Sequence, residues 1–383
     1  MKILRTAGKV LAALVLAAAL IVCCAVLFLF FWPSVGKMPG AGERSEYTQR
    51  ASYYYDGSFH NPNDTDTLTG EGWPPSDRRI TKEVIPAVSP DFPADPSEDS
   101  LSYTWFGHSS FLLQMGSVSI LVDPVFSTRC SPVGFMGPKR FSELPVSIDE
   151  LPHIDAVFIS HDHYDHLDYR TVLGLKDRAD RFIVPLGVDV ILRGWGVAEE
   201  KIITLGWWES TVLSGVEFTL VPSRHFTGRN PLKRNAVLWG GLYMNNGLHR
   251  VYYTGDGGYC GVFAQVREAL GEPEVMIAEC GQYDPAWRMI HMFPEETVLA
   301  SVDAGAGWLI PVHWGTFCIC NHAWDDPIIR VCAASEDSGV SIATPMIGQT
   351  VDYKELSSFC EHWWEDCEST TPSYGLSLRG GSL

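Results

Sequence analysis

Six consecutive residues, His161-Asp162-His163-Tyr164-Asp165-His166, constrain the fold of this chain more than any other part of its sequence. They follow the apolar run DAVFIS, which is typical of a buried strand. Such a strand predicts a layered protein whose potential metal ligands lie on a loop at the sheet edge. Imidazole and carboxylate groups suit zinc or a similar first-row ion, and the loop has no cysteine that would indicate an electron-transfer sulfur site. The alternative is a solvated polar loop.

Three later apolar runs also end in residues of a metal-ligand type. The run VEFTLVPSR leads to His225, RVYYTG leads to Asp256 and GWLIPV leads to His313. Together with the loop, they predict one site from His161, His163 and His225, a second site from Asp165, His166 and His313, and a bridging Asp256. Two metal ions about 3.5 to 4 Å apart polarise a substrate and activate water, so the pattern indicates hydrolysis without a side-chain nucleophile.

Short apolar runs recur between Leu101 and Asp352 and predict about a dozen strands, including AVLWGGLYM and VSIAT. Two helical patterns interrupt them. One has a shared apolar face from Val262 to Leu270. The other begins at Pro294, and its spacing predicts that Val298, Leu299 and Val302 point into the core. The sequence therefore predicts a layered α/β domain with two sheets inside.

The N-terminal segment carries no charge from Val10 to Trp32, which is long enough to cross a bilayer core of roughly 30 Å. A cleaved signal peptide is the alternative, but no small-x-small site precedes Pro33. Three basic residues precede the span and only Lys37 and Arg44 closely follow it. This bias predicts a single-pass protein with its N-terminus in the cytoplasm and its catalytic domain outside.

Composition suggests four regions. Residues 1–36 form the anchor. Residues 37–100, rich in Pro, Asp, Asn and Gly after residue 56, are expected to form an extended linker or wrapping arm. Residues 101–352 form the hydrolase domain, and the tail of residues 353–383 has no sustained pattern.

The formal net charge of −18 disfavours a nucleic-acid partner, because attraction to phosphates would be replaced by repulsion. The ten cysteines include no pair of CxxC elements, which argues against a thiolate zinc finger or a small disulfide framework. Cys318 and Cys320 are interpreted as a buried structural thiol pair. The acidity by itself identifies no partner, whereas the uncharged N-terminal span predicts the membrane as one.

Beyond these patterns, the chain resembles the metallo-β-lactamase superfamily, which has an αββα sandwich and carries HxHxDH followed by His, Asp and His. Within it, residues 53–351 are most similar to the N-acylphosphatidylethanolamine-hydrolysing phospholipase D family. The motifs that carry this resemblance include TWFGHSSFLL, LVDPVFSTRCSP, MGPKRF, PSRH, YTGDGGYC, HMFPEE and HWGTF.

The resemblance implies two zinc ions per chain, bound by His161, His163, Asp165, His166, His225, Asp256 and His313. It also implies catalytic roles for Asp256, Tyr164 and His291, with the last two beside the substrate headgroup. Where the family pattern GAYxPRW is expected, this chain has GQYDPAW, with Ala286 in place of arginine. His108 lies either near the metal loop or in a structural hydrogen bond.

Three functions fit these residues. The first is a membrane-anchored dizinc phosphodiesterase acting on a lipid or a lipid-like molecule. The second uses the same water on a carbonyl group of a lactone, ester or amide. The third is a tethered binding protein whose metals are structural. The match at Tyr164, His291 and MGPKRF favours the phosphodiesterase.

Overall fold

The computed structural model describes residues 2–81, 83–94 and 96–367. The helices of this part are α1 Lys2–Phe31, α2 Ala41–Arg50, α3 Tyr169–Leu175, α4 Val188–Gly194, α5 Val262–Leu270, α6 Pro294–Ala304 and α7 Asp326–Ser338. The strands are β1 Tyr54–Tyr55, β2 Ser58–Phe59, β3 Leu101–Trp105, β4 Phe111–Met115, β5 Val118–Val122, β6 Ile154–Phe158, β7 Ala179–Pro185, β8 Ile202–Leu205, β9 Ser210–Leu213, β10 Val216–Val221, β11 Gly241–Asn245, β12 Arg250–Tyr253, β13 Val275–Glu279, β14 Trp308–Val312 and β15 Thr350–Asp352.

Two sheets build the domain. The larger has the strand order β15-β3-β4-β5-β6-β7-β8, and the smaller has the order β14-β13-β12-β11-β10-β9. Strands β5 to β8 pair in parallel, as do β12, β13 and β14. The carboxyl ends of neighbouring parallel strands meet at one sheet edge, where loops can bring side chains together.

The strands are buried on both faces because each sheet lies between another sheet and a helical layer. Along β6, Ala156 and Phe158 belong to the core between the sheets, whereas Val157 packs in a second core with residues of α3 and α4. On the smaller sheet, α6 contacts β13, β14 and the neighbouring helices α5 and α7. This arrangement is the αββα sandwich, so the predicted fold is confirmed.

Some predicted elements are wrong in detail. Residues 236–240 precede β11 and are not part of it, and VSIAT contributes only an isolated bridge between Leu309 and Ile342. In α6, Val298 is buried, but Leu299 and Val302 are about half exposed. The reason is that α6 packs on β13 and β14 along a narrower face than its apolar residues occupy.

Residues 37–100, expected to be a linker or wrapping arm, contain α2 and the β1–β2 hairpin. Their side chains Tyr47, Phe59 and Ile85 are buried in the core between the sheets. After β15, residues 353–367 include two short 3-10 helices, and Trp363 and Trp364 are buried. Residues 368–383 of the expected tail lie outside the described residues.

Helix α1 is apolar enough from Thr6 to Phe31 to cross a membrane. Directly after it, residues 33–35 form a 3-10 turn in which Ser34 and Val35 are buried. The indole nitrogen of Trp195 donates a hydrogen bond to Pro33 O at 2.7 Å. The end of α1 is therefore fixed to the domain by direct contacts.

Candidate metal centre

The predicted ligands converge because they all follow strands that end at one edge of the sandwich. The loop of residues 161–166 follows β6, and His225, Asp256 and His313 follow β10, β12 and β14. The donor atoms of His161, His163, His225 and Asp256 lie within 4.8 Å of one another, and we call these residues the first cluster. The same holds for His108, Asp165, His166 and His313, the second cluster.

In the first cluster, three imidazole nitrogens point at one another. His163 Nδ1 lies 2.9 Å from His161 Nε2 and 3.3 Å from His225 Nε2. A shared proton can join only one such pair at a time, so the third nitrogen is left with a lone pair facing the others. Converging lone pairs of this kind are what a bound cation requires.

Asp256 lies between the two clusters. Its Oδ2 atom is 3.1 Å from His166 Nε2 and 3.3 Å from His313 Nε2, both in the second cluster. The same atom is 3.8 Å from His161 Nε2 and 3.9 Å from His225 Nε2 in the first. Asp256 Oδ2 thus lies within 4 Å of histidines in both clusters, where a shared ligand would lie.

The second cluster contains a histidine for which the sequence left two interpretations open. His108 Nε2 lies 3.0 Å from Asp165 Oδ2, and its ring centroid is 4.1 Å from that of His313. Asp165 Oδ2 is also 3.6 Å from His166 Nε2. His108 is thus fully buried against the metal loop and orients Asp165.

The outer nitrogens of the histidines are held by the protein. Asp123 Oδ2 accepts from His166 Nδ1 at 2.7 Å, and Ile290 O accepts from His225 Nδ1 at 2.9 Å. The hydroxyls of Ser160 and Ser109 lie 2.9 Å from Nδ1 of His161 and His313, respectively. These contacts turn each Nε2 towards the site, as outer partners of metal-binding histidines do.

Burial and charge act differently on individual histidines of the two clusters. Burial lowers the pKa of His161 and His225 well below the usual histidine range, which favours the neutral imidazole that binds metals. Burial also opposes charge on His166, but Asp256, Asp165 and Asp123 outweigh it and raise the pKa of His166. The pKa of Asp256 is lowered in spite of burial because His166 and His313 lie beside it.

These residues fit divalent metal ions. Asp256 Oδ1 is buried and has no hydrogen-bond partner among the described residues. A buried carboxylate oxygen without a partner is costly unless a cation satisfies it. The donor set of imidazoles and carboxylates without sulfur is the one that zinc and similar ions accept.

A cleft of about 440 Å³ opens over Asp256, and Tyr164 and His291 both line it. His291 Nδ1 lies 3.2 Å from Glu279 Oε2, while Glu279 Oε1 accepts from the backbone N–H groups of Gly257 and Met292. Burial raises the pKa of Glu279 to about 7, and Glu279 in turn raises the pKa of His291 against the effect of its own burial. Glu279 therefore fixes His291 beside the shared Asp256.

Tyr164 has a different setting. Its hydroxyl donates to Arg229 O at 3.2 Å, and its ring covers the buried Arg229 guanidinium at 4.1 Å. That guanidinium also donates to the backbone oxygens of Asp162 and Leu167. Arg229 thus stabilises the loop of residues 161–166 through its backbone oxygens, while Tyr164 faces the cleft.

The glycines beside Asp256 permit close packing. A Cβ atom at Gly258 would lie 2.0 Å from Met289 O, in the segment that leads to His291. Only glycine allows the loop of Asp256 to approach the segment of His291 this closely.

Sequence reasoning missed Asp123 and Glu279. Asp123 directly follows β5, and Glu279 is the last residue of β13. The rule that selected His225, Asp256 and His313, a polar residue at the end of an apolar strand, would have selected both. Neither residue belongs to the HxHxDH motif, and both contact other site residues instead of the expected metal positions, so the motif itself gives no signal for them.

Comparisons with known proteins identify the family of the chain. Residues 119–314 match the family described as a beta-lactamase superfamily domain. An uncharacterised protein of Mycobacterium tuberculosis is 44% identical over 274 residues, which cover 70% of this chain and 73% of that protein. The N-acyl-phosphatidylethanolamine-hydrolyzing phospholipase D 1 of Caenorhabditis elegans is 32% identical over 255 residues, covering 63% of this chain and 72% of its own.

Among solved structures, Igni18, a metallo hydrolase from Ignicoccus hospitalis, superposes with a TM-score of 0.53 at 20% identity. The match covers 66% of this chain and 98% of that one, and it bears on the fold alone. Family match, relatives and donor clusters together lead to one conclusion: the chain is a metal-dependent hydrolase that belongs to the metallo-β-lactamase superfamily and has phospholipase D homologues.

Proposed function

We propose that this chain is a membrane-anchored dizinc phosphodiesterase of the phospholipase D type, acting on N-acylphosphatidylethanolamine-like lipids. The observation that carries the proposal is the pair of donor clusters that share Asp256 under a largely apolar cleft. The homology to a phospholipase D of this specificity supports a lipid phosphodiester as the substrate class.

One zinc ion would be held by His161, His163, His225 and Asp256, and the other by Asp165, His166, His313 and Asp256. When bound, the ions would supply Lewis-acid stabilisation of the phosphoryl group and activation of water. The chain itself fixes the donors from outside through Asp123, Ser160 and Ser109. This support limits the reorganisation that the site needs during the reaction.

The reaction adds a water oxygen to phosphorus and breaks the bond between phosphorus and the ethanolamine oxygen. Phosphatidic acid and an N-acylethanolamine leave, and the leaving oxygen takes up one proton. His291 is suited to hold that proton, because it lines the cleft and Glu279 supports its protonated form. Tyr164 lines the same cleft and would orient the headgroup.

The remaining cleft wall fits an apolar substrate. Leu68, Phe226, Trp287 and Ile319 contribute apolar surface, and Arg234 is the exposed cation among the lining residues. Acyl chains would contact these four apolar side chains, while the phosphate of a lipid would approach Arg234. Ala286, in place of the arginine of the family pattern, is buried, and its backbone oxygen accepts from Thr69 N, so the arm of residues 67–69 closes this side of the cleft.

Turnover of defined substrates tests the proposal. Purified full-length protein with zinc, given an N-acylated phosphatidylethanolamine in mixed micelles, should release phosphatidic acid and N-acylethanolamine in equal amounts. Mass spectrometry of both products measures this. A matched panel of lactones should remain intact. Zinc-loaded protein that opens lactones and leaves every phosphodiester unchanged would replace the proposal with carbonyl hydrolysis.

The proposal includes α1 as a single-pass anchor with a cytoplasmic N-terminus. Full-length protein should remain in the membrane fraction through carbonate and high-salt washing. A fragment that begins at Pro33 should be soluble, and it keeps Ser34 O, which accepts from Arg229 Nε at 2.7 Å. Release of the full-length chain at unchanged mass by washing would contradict the anchor.

A further inference from the structure

Two loops hold the end of α1, which the proposed function treats as a membrane anchor. Trp32 Nε1 and Ser34 Oγ both donate to Pro132 O, at 2.7 and 2.6 Å. From the second loop, Asn230 Nδ2 donates to Leu29 O at 3.1 Å. Residues 128–139 and 229–234 therefore lie where the helix would leave the bilayer, and we call them the mouth rim.

The mouth rim also borders the candidate catalytic cleft. Cys130 and Pro138 of its first loop and Arg234 of its second line the cleft together with His163 and His291. The same two loops thus touch the helix end on one side and the cleft on the other. The cleft entrance consequently lies beside the expected membrane surface.

The mouth rim exposes large apolar side chains. Phe135 is 80% exposed, Met136 is 65% exposed and Leu232 is 58% exposed. Such side chains at loop tips gain no burial within this chain, and burial in a lipid interface would remove them from water. Trp32, at the end of the helix, is an indole of the kind that favours the same interface.

The charge of this region is opposite to that of the chain. Although the protein carries −18 overall, residues 124–142 and 226–236 contain no aspartate or glutamate. Their basic residues are Arg129, Lys139, Arg140, Arg229, Lys233 and Arg234. Arg229 is buried beneath the metal loop, but Lys139, Lys233 and Arg234 are exposed. An exposed positive patch on an acidic protein is complementary to an anionic surface.

From these observations we infer that the mouth rim docks on the surface of an anionic phospholipid bilayer, with Phe135, Met136 and Leu232 inserted and Lys139, Lys233 and Arg234 at the phosphates. The inference rests on the anchor of the proposed function, since α1 brings the rim to the membrane. Docking would place the cleft entrance against the bilayer, so that a lipid enters without crossing water.

Hydrogen exchange of the full-length chain in lipid nanodiscs tests this docking without measuring turnover. One disc contains phosphatidylcholine alone, and the other also contains phosphatidylglycerol. Backbone exchange in residues 128–139 and 229–234 should be at least about fivefold slower in the anionic disc, the factor that a single one of the three basic residues would supply near such a surface. High salt should remove the difference. The turn between β11 and β12, which carries the exposed Leu248, should exchange equally in both discs.

A matched pair of variants separates docking from general lipid contact. The triple variant Phe135→Ser, Met136→Ser and Leu232→Ser should lose the protection of the rim. The control Val212→Ser and Leu248→Ser removes similarly exposed apolar side chains elsewhere and should keep this protection.

Equal exchange of the rim in both discs, or protection that survives the triple variant, would overturn the inference. A chain that is protected at the rim yet inactive on phosphodiesters would refute only the proposed activity, whereas a chain that does not enter the discs would refute the anchor and the docking together.

Discussion

The first and second clusters contain the same kinds of donor but differ in charge and support. In the first, His161 and His225 are buried with depressed pKa values, and a serine hydroxyl and a backbone carbonyl hold their outer nitrogens. In the second, the buried carboxylate of Asp123 holds His166, whose pKa is raised. The histidines of the first cluster are therefore neutral imidazoles, whereas the second combines His166, whose charged form three carboxylates favour, with His108 and His313, whose pKa values burial lowers.

This difference shows that the carboxylates around a histidine set its charge, because Asp256 and Asp165 within the predicted ligand set and Asp123 outside it all favour charged His166. His161 and His166 are five residues apart in one loop, and the Ser160 hydroxyl lies near the outer nitrogens of both, at 2.9 and 3.4 Å, but only His166 also contacts Asp123. Their joining element is Asp256 Oδ2, which is closer to the histidines of the second cluster than to those of the first. Substitutions at Asp256, at the cleft wall and at Asp123 should therefore have separate effects.

The largest effect is expected for Asp256→Asn, because this substitution removes the charge that both clusters share. Bound metal should fall from two ions per chain towards one, and turnover should be abolished while the fold persists. Metal analysis, activity and circular dichroism of one preparation measure these outcomes. The matched control is Asp162→Asn in the same motif, since Asp162 accepts from the backbone of Gly228 and Arg229 and belongs to neither cluster. Two ions and full activity in Asp256→Asn would refute its bridging role.

What the sequence can predict about this site has a physical limit. His161, His225, Asp256 and His313 could be selected because each follows an apolar strand, and strand ends meet at a common edge. The layered α/β class with two sheets was accessible because continuous apolar runs indicate strands buried on both faces, whereas the αββα sandwich was implied by the family resemblance.

Other features depend on contacts between distant parts of the chain. Glu279 meets His291 only because the loop after β13 returns to the sheet edge, and Ser34 reaches Arg229 across 195 positions. The exposed Leu299 and Val302 on α6 show the opposite case, in which local pattern predicts burial but the packing geometry leaves the side chains in water. Periodicity records the faces of one element and carries no information about which neighbour covers them.

A smaller effect is expected at the cleft wall, where His291 contacts both clusters without being needed to complete either. Its ring stacks on His313 at 5.4 Å and meets His225 edge-on at 5.1 Å. His291→Ala should lower kcat/KM about 10²-fold, the low end for a positioned acid-base group, with two ions retained. Steady-state kinetics on the micellar substrate and metal analysis measure the change.

The companion variant Glu279→Gln distinguishes proton handling from simple packing. Glutamine keeps an oxygen for the N–H groups of Gly257 and Met292 but removes the charge beside His291. It should lower kcat about tenfold with little change in KM. A loss confined to KM, or loss of metal in His291→Ala, would contradict the assignment of this wall to proton transfer.

The smallest effect on turnover, and the most selective one on metal binding, is expected for Asp123→Asn. This substitution weakens the support of His166, so the second cluster should lose affinity for zinc by about 10- to 100-fold while the first is less affected. Titration with a zinc chelator should then remove one ion well before the other, and excess zinc should restore most of the activity. Tyr253→Phe is the matched control, because it removes another hydrogen bond to Asp123 Oδ2 without touching a histidine. If both ions leave Asp123→Asn together, as in the unaltered protein, the two clusters do not depend on separate outer partners and the contrast between them is wrong.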